Sequence, residues 1–377
     1  MAILIGNNTT LALNSDDYIR NEINQYVAKL NFILIFVQSF VSISGIFGNM
    51  LALIVINKKS LRNTSSAVYI TYMAIFDSAV LLLHCASLAQ PRRNLFIHCS
   101  LIYLTDLFSI CANWVLVIIT LERCVAVASP FLAKRFCTVH SARYSVYILI
   151  SIAILLFSAT FPIIYHTDVT SKRAKCKIRP AFGLIHRIYQ PIVFYVLPDI
   201  LLLSNLFTVY SLIQRRRQQK RLSNDDKFEL RVNDVHSNRK QRQLTIMLVT
   251  VNFTFYLFST PALIFFIGEY TPPKHPEINK LKRSFFFTQT SVLLLQLHHA
   301  TNFIFYCFTG RRFREATIET FNQCSTQLKI FYHRYFLCDK YYRVSSDYQM
   351  TNIPSTNKPN RLLDKEYSSK YTKRTTI

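Results

Sequence analysis

Seven stretches of the chain run apolar for about 20 residues or more with few or no charges, the length a helix needs to cross a bilayer. They are Leu30 to Ile56, Ala67 to Ala89, Leu95 to Ala128, Tyr144 to Tyr165, Ile188 to Ile213, Leu244 to Gly268 and Ser284 to Phe308. Hydrocarbon gives backbone N–H and C=O groups no partner, so each stretch is expected to be a helix that satisfies its own hydrogen bonds. Seven such helices with short connections predict an all-α membrane protein, a single seven-helix transmembrane bundle. The polar residues divide the rest of the chain. Residues 1–29 form an outer N-terminal tail, 30–309 the bundle, 310–325 a short eighth helix and 326–377 a disordered cytoplasmic tail rich in Ser, Thr, Tyr and Lys. Within 310–325, Phe313, Ala316, Thr317, Phe321 and Cys324 recur at helical spacing. This reads as an amphipathic helix on the inner leaflet, with Cys324 a candidate for palmitoylation.

Charge sharpens this picture. The chain carries 44 Lys+Arg against 20 Asp+Glu, a net +24, yet the only charged residues inside the seven spans are Asp77, Asp106, Asp199, Glu122 and Arg123. The basic residues flank apolar spans, which points to lipid headgroups and a cytosolic partner and not to nucleic acid. Loops on both sides are basic, so the positive-inside rule orients the chain only weakly. Two overlapping sequons in Asn7-Asn8-Thr9-Thr10 decide it. They make Asn7 and Asn8 glycosylation candidates and place the N-terminus outside, the C-terminus in the cytosol. No basic n-region with a cleavage site precedes the first span, so no removable signal peptide is expected.

Ionisable groups inside a membrane are costly and mark function by default. The third span ends on Glu122-Arg123, an acid beside a base at the edge of a hydrocarbon segment, and Arg123 is the strongest functional candidate of the chain. Asp77, midway along the second span, needs a partner, a bound cation or a proton. Asn49 follows Gly48 in the first span, which suits either a hydrogen bond between closely packed helices or a merely tolerated polar residue. His298 and His299 are adjacent, so they point about 100° apart on a helix and are not expected to share a metal. No metal and no cofactor is expected. Pro198 in the fifth span and Pro261 in the sixth each remove a backbone donor and predict a bulge or kink. Most of the nine cysteines lie in spans or in the cytosolic tail. Cys99 and Cys176 fall on the outer side, where a disulfide between them would persist and pin a long loop to the third helix.

Taken together, these residues resemble a rhodopsin-like G-protein-coupled receptor over about residues 30–325. The features that carry the resemblance are Gly48-Asn49, Asp77, Cys99 and Cys176, Glu122-Arg123 in place of the family's Asp-Arg-Tyr, Pro198, Phe255, Pro261 and Asn302 to Tyr306, in the family's order. Within the family, the stretch from Trp114 to Arg123 and the stretch Asn302-Phe303-Ile304-Phe305-Tyr306 look most like invertebrate neuropeptide receptors of the FMRFamide-receptor type. The resemblance implies an activation switch on Glu122, Arg123, Asn302 and Tyr306, a polar network of Asn49, Asp77, His298 and His299, and no catalysis. It implies as partners an extracellular peptide, a heterotrimeric G protein and arrestin at the Ser/Thr-containing tail, with the chain in the plasma membrane. Several positions depart from the pattern: Ser259 stands where the family has Trp, and Cys124 follows the Arg in place of Tyr. Family members bind a sodium ion near the second-span Asp. Here Ala112, His298 and His299 occupy the matching positions, so a histidine or a proton is the expected counter-charge of Asp77.

The ligand is read from the outer loops and from Asp106. Loops 90–94, 166–187 and 269–283 carry twelve Lys+Arg against Asp168, Glu269 and Glu277, a rim that fits a peptide whose acidic part meets Lys172, Arg173 and Lys175, or one that only holds lipid phosphate. Counted forward from Cys99, Asp106 sits where amine receptors keep their amine-binding Asp; counted back from Arg123, it is one residue off. An amine receptor is therefore the alternative, and a membrane transporter the alternative of another class. A transporter more often shows inverted repeats and Gly-broken helices, which this chain lacks.

Overall fold

The computed structural model describes the backbone of residues 2–59, 61–89, 95–168, 175–182, 188–189, 191–203, 206–211, 213–214, 217, 231–268 and 278–332. The first four spans lie on α1 (Ala2–Ile56), α2 (Ser65–Ala89), α3 (Leu95–Ala128) and α5 (Val139–Ile164). Between the third and fourth spans sits a short helix, α4 (Pro130–Phe136). Its start follows from local chemistry: Ser129 is the N-cap, accepting from the Leu132 N–H, and Pro130 opens the helix where a missing donor costs nothing. The fifth span is a π-turn (Ile192–Val196) running into α6 (Leu197–Leu202). The sixth and seventh spans are α7 (Arg231–Gly268) and α8 (Ile278–Thr309), and α9 (Arg311–Tyr332) follows.

Five described helices are long and apolar enough to cross a membrane, those of the first four spans and the sixth. The described helical stretches of the fifth are shorter, and α8 carries Lys280, Lys282 and Arg283 ahead of the seventh span and Gln289, Gln296, His298 and His299 within it. Several helix bounds differ from expectation. α1 and α7 extend well beyond their apolar cores, α7 reaching back into a loop expected to be only a linker, and α9 runs on past residue 325.

α3 is the axis of the bundle. Val115, Leu116 and Ile119 are buried, and the helix packs on α2, α5, the π-turn, α6 and α7. The outward faces invert a soluble protein's pattern: Phe40 and Phe47 of α1, Leu155 of α5 and Phe253 of α7 are all exposed, as surfaces solvated by lipid tails require. α1 and α8 touch at small residues. A Cβ built on Gly45 would lie 2.5 Å from the Cβ of Ala300 and 2.7 Å from its Cα, so only Gly admits this approach.

One element was not anticipated. In the loop after the fourth span, β1 (Tyr165–Asp168) and β2 (Lys175–Ile178) pair antiparallel, with Asp168 opposite Lys175 and Thr167 opposite Cys176. Runs of four residues are too short for their alternation to stand out against a neighbouring apolar span. β2 packs against α3.

Candidate functional site

The middle of the bundle holds a buried polar network. Asp77, 1% exposed, has its Oδ1 2.7 Å from Nδ1 of His299, and its Oδ2 accepts a 2.7 Å hydrogen bond from Nδ2 of Asn302. The other nitrogen of the His299 ring lies 3.4 Å from the hydroxyl of Ser109 on α3. Asn49 donates from Nδ2 to the His299 carbonyl at 3.1 Å. Four helices thus contribute to one network, in which α8 holds the carboxylate and α1 and α3 hold His299. His298 takes no part in holding it. Its ring packs edge-on to Phe255 of α7, with centroids 4.9 Å apart, and its Nδ1 finds no partner among the described residues. The helical turn between neighbours sends one histidine to α2 and the other to α7. Ala112 is buried and brings no polar atom. Among the described residues no group of three or more His, Cys, Asp or Glu could hold a metal.

At the end of the bundle where the third span closes, Arg123 donates to Glu122 Oε1 at 2.6 Å, the two side chains being 12% and 8% exposed. The pair is not isolated. Ser65, at the start of α2, donates to the same Glu122 oxygen at 2.5 Å and accepts from Arg123 at 3.2 Å. Tyr69, one turn further along α2, also faces Glu122. Cys137, between α4 and α5, approaches the Glu122 carbonyl at 3.8 Å. Burial, reinforced by the Glu122 charge and opposed by Arg123, holds its thiol above its ordinary pKa, so it stays protonated. The Arg123 Nε is buried without a partner among the described residues. The side chain of Gln241, the residue at the base of the sixth helix, lies outside the described residues. Tyr306 stacks edge-on with Phe313 of α9 at 5.6 Å and directs its hydroxyl toward Met73 Sδ at 3.9 Å.

The fifth span shows how a proline is accommodated. Pro198 has no N–H to give the carbonyl four residues back, that of Phe194. Asn113 of α3 supplies the missing donor, its Nδ2 reaching the Phe194 oxygen at 3.3 Å. The ladder loosens there into the π-turn, as inserted partners cause.

Toward the opposite end of the third span, Asp106 is half-buried, faces Tyr195 of the π-turn and has no ion-pair or hydrogen-bond partner among the described residues. It therefore points into the bundle, toward the fifth span. Cys99 is disulfide-bonded, whereas Cys85, Cys111, Cys124, Cys137, Cys307 and Cys324 are in no disulfide. Cys176 lies on β2, the strand that packs against α3. Lys175 lies on β2; Lys172 and Arg173 fall outside the described residues. Lys282 pairs with Glu22 of α1 at 2.6 Å and lies over the Tyr26 ring, so one cation of the rim is already engaged. Asn7 and Asn8 fall on the α1 backbone, with side chains outside the described residues, and Cys324 is exposed.

A family model described as the 7 transmembrane receptor (rhodopsin family) matches residues 48–306, more than half of the chain. The chain belongs to that family. It is therefore a multi-pass membrane receptor by family, and not an enzyme. The receptor is 30% identical over 123 residues to the FMRFamide peptide receptor frpr-18 of Caenorhabditis elegans, covering 29% of this chain and 28% of that one. It is 27% identical over 206 residues to the D(2) dopamine receptor A of Xenopus laevis, covering 52% of this chain and 42% of that one. The match thus spans less than half the length of either relative.

Sequence reasoning missed Ser65, Ser109, Asn113 and Gly45. Gly45 was within reach, since Gly45 and Gly48 lie three residues apart in an apolar span and so share one helix face. The other three are ordinary polar residues whose partners lie on distant helices, and no local pattern distinguishes them.

Proposed function

We propose that the receptor binds an extracellular peptide at the plasma membrane, with its N-terminus outside and its C-terminus in the cytosol, and passes binding on to a heterotrimeric G protein. The observation that supports the peptide is the outer hairpin. β1 and β2 stand beside α3 as a two-stranded sheet, and such a sheet leaves edge N–H and C=O groups for an extended peptide to pair with. The basic rim adds charge of the sign an acidic peptide segment needs, from Lys172, Arg173 and Lys175. The relative named for FMRFamide peptides supports the same reading. In this reading a Cys99–Cys176 bond ties the hairpin to the third helix, and Asn7 and Asn8 carry glycans. Glu122 and Arg123 hold the resting switch, and Asn302 and Tyr306 relay the change to it. Cys324 is palmitoylated, the tail recruits arrestin, and the basic flanks of the spans hold lipid headgroups. Residues 1–29 form the outer tail, 30–309 the bundle, 310–325 the membrane-lying helix and 326–377 the cytoplasmic tail.

The test is a screen of a peptide library and a monoamine panel on cells expressing the chain with a promiscuous G protein. A peptide should give the strongest response. Activation by amines alone would reject the reading.

A second reading rests on Asp106. A half-buried carboxylate facing a tyrosine and lacking a partner among the described residues is a seat for a ligand cation, and the dopamine receptor relative points the same way. A monoamine that activates the receptor and is silenced by Asp106→Asn would establish it.

A further inference from the structure

The carboxylate of Asp77 is the place where the rhodopsin family seats a sodium ion, and the residues present here do not fit one. Both carboxylate oxygens already receive N–H donors at 2.7 Å, from His299 and Asn302. A hard cation wants oxygen ligands. The third-span position matched to the family's site, Ala112, offers none. The nearest α3 hydroxyl, Ser109, is directed at the His299 ring. Two amide oxygens, of Asn49 and Asn302, are buried and lack partners among the described residues. They are served as well by water as by a metal.

We infer that His299 is a built-in counter-cation: it shares one proton with Asp77, fills the place of the sodium ion and frees the receptor from sodium. The argument is one of charge. A bare carboxylate in a dry site is costly, so the pair takes up a proton and is neutral as a unit. Adding or removing a proton leaves a net charge where no water screens it. Adding sodium beside the imidazolium does the same, and like charges a few ångströms apart in a low-dielectric interior repel strongly. The tethered ring also competes at an effective concentration that a dissolved ion cannot match.

The surroundings do not upset this balance. From α1 the neighbour is the neutral Asn49, from α3 the neutral Ser109, and from α8 itself Asn302 and His298, the latter turned to Phe255. Among the described residues the other titratable groups near the pair are His84 of α2, His298, whose ring centroid lies 5.0 Å from that of His299, and Tyr306, which faces Asp77; a cation at either histidine would repel an imidazolium, which further disfavours a second positive charge. Sodium in the family is supplied by the medium, whereas this counter-charge is encoded in the chain. The inference is independent of what the ligand is.

The experiment uses ligand-free full-length receptor in lipid nanodiscs at neutral pH. Thermal unfolding is followed through the sole tryptophan, Trp114, in sodium chloride and in an equal concentration of choline chloride. The wild-type midpoint should be the same in both salts. His299→Ala removes the ring and opens the carboxylate, and should unfold several degrees higher in sodium than in choline, because a ligand bound only by the folded state raises its stability. Adding Asp77→Asn to that variant should erase the difference. His299→Asn, which keeps a polar side chain but cannot carry the charge, is the second probe should His299→Ala not fold. A sodium-dependent rise in the wild type overturns the inference, as does a folded His299 variant that is blind to sodium.

Discussion

Arg123 is held by few partners, and the proposed switch rests on them. Its guanidinium reaches Glu122 and Ser65, while its Nε is left over. Removing one partner of a buried pair costs about 3–5 kcal/mol because the other charge is left uncompensated. That cost applies to the resting state alone if Arg123 turns outward on activation. Glu122→Gln should therefore raise ligand-free nucleotide exchange on the G protein several-fold. Ser65→Ala, which removes only hydrogen bonds worth about 1.5–3 kcal/mol to a charged group, should raise it less. Arg123→Ala should abolish exchange. The readout is guanine-nucleotide binding in membranes matched for surface expression, and normal signalling by the Arg123 variant would refute the scheme. The pair itself was legible in the sequence as a charged doublet at the end of an apolar span. Ser65 was not, since its role exists only once α2 is laid against α3.

At the scale of elements, the first and seventh spans are joined by an unusually close contact. A methyl group on Gly45 would stand 2.5 Å from the Ala300 Cβ and 2.7 Å from both the Ala300 Cα and the Leu81 Cδ1. Two of those three atoms are backbone or Cβ and cannot step aside without moving a helix. Overpacking of this kind costs about 1–3 kcal/mol or more, which exceeds the gain of about 1 kcal/mol from exchanging Gly for Ala within a helix. Gly48 differs, because its nearest neighbour would be the Phe303 Cβ at 3.3 Å. Gly45→Ala should lower the thermal midpoint and surface delivery, while Gly48→Ala should lie close to wild type. Equal losses would show that the measured approach does not limit packing. The seven spans themselves could be read from hydropathy because lipid forces each to be apolar along its whole length. The hairpin could not, being a product of pairing across a loop. Nor could the π-turn, where Pro198 announces a lost hydrogen bond but not that Asn113 replaces it.

The hairpin also makes the disulfide testable as a tether. Cys99 is bonded and β2 packs on the same helix. If Cys176 is its partner, Cys99→Ala and Cys176→Ala should each reduce surface delivery or peptide response. The double change should be no worse than either alone, because each single change already opens the same bond. Additive losses would mean that the two thiols act separately.

For the whole molecule, the charge distribution separates a ligand that lies across the outer rim from one that sinks to Asp106. The outer loops carry twelve Lys+Arg against three acids, a field that attracts acidic peptides and repels a small ammonium. Such a field acts chiefly on the rate of encounter and fades when exposed charges are screened beyond about 8–10 Å at physiological salt. Lys282 is already drawn toward Glu22 and Tyr26, so the reversal is placed on the loop after the fourth span. Reversing Lys172, Arg173 and Lys175 to Glu changes the rim to nine bases against six acids. Potency of an acidic peptide should then fall by at least tenfold at low salt, and by clearly less at high salt, with surface expression unchanged. Asp106→Asn should leave such a peptide nearly untouched unless it carries a cation long enough to reach the interior beside Tyr195. Dose-response curves for the wild type and both variants at two ionic strengths decide the matter. A loop reversal without effect, together with complete loss in Asp106→Asn, would move the ligand from the rim to the interior and make the amine reading the correct one.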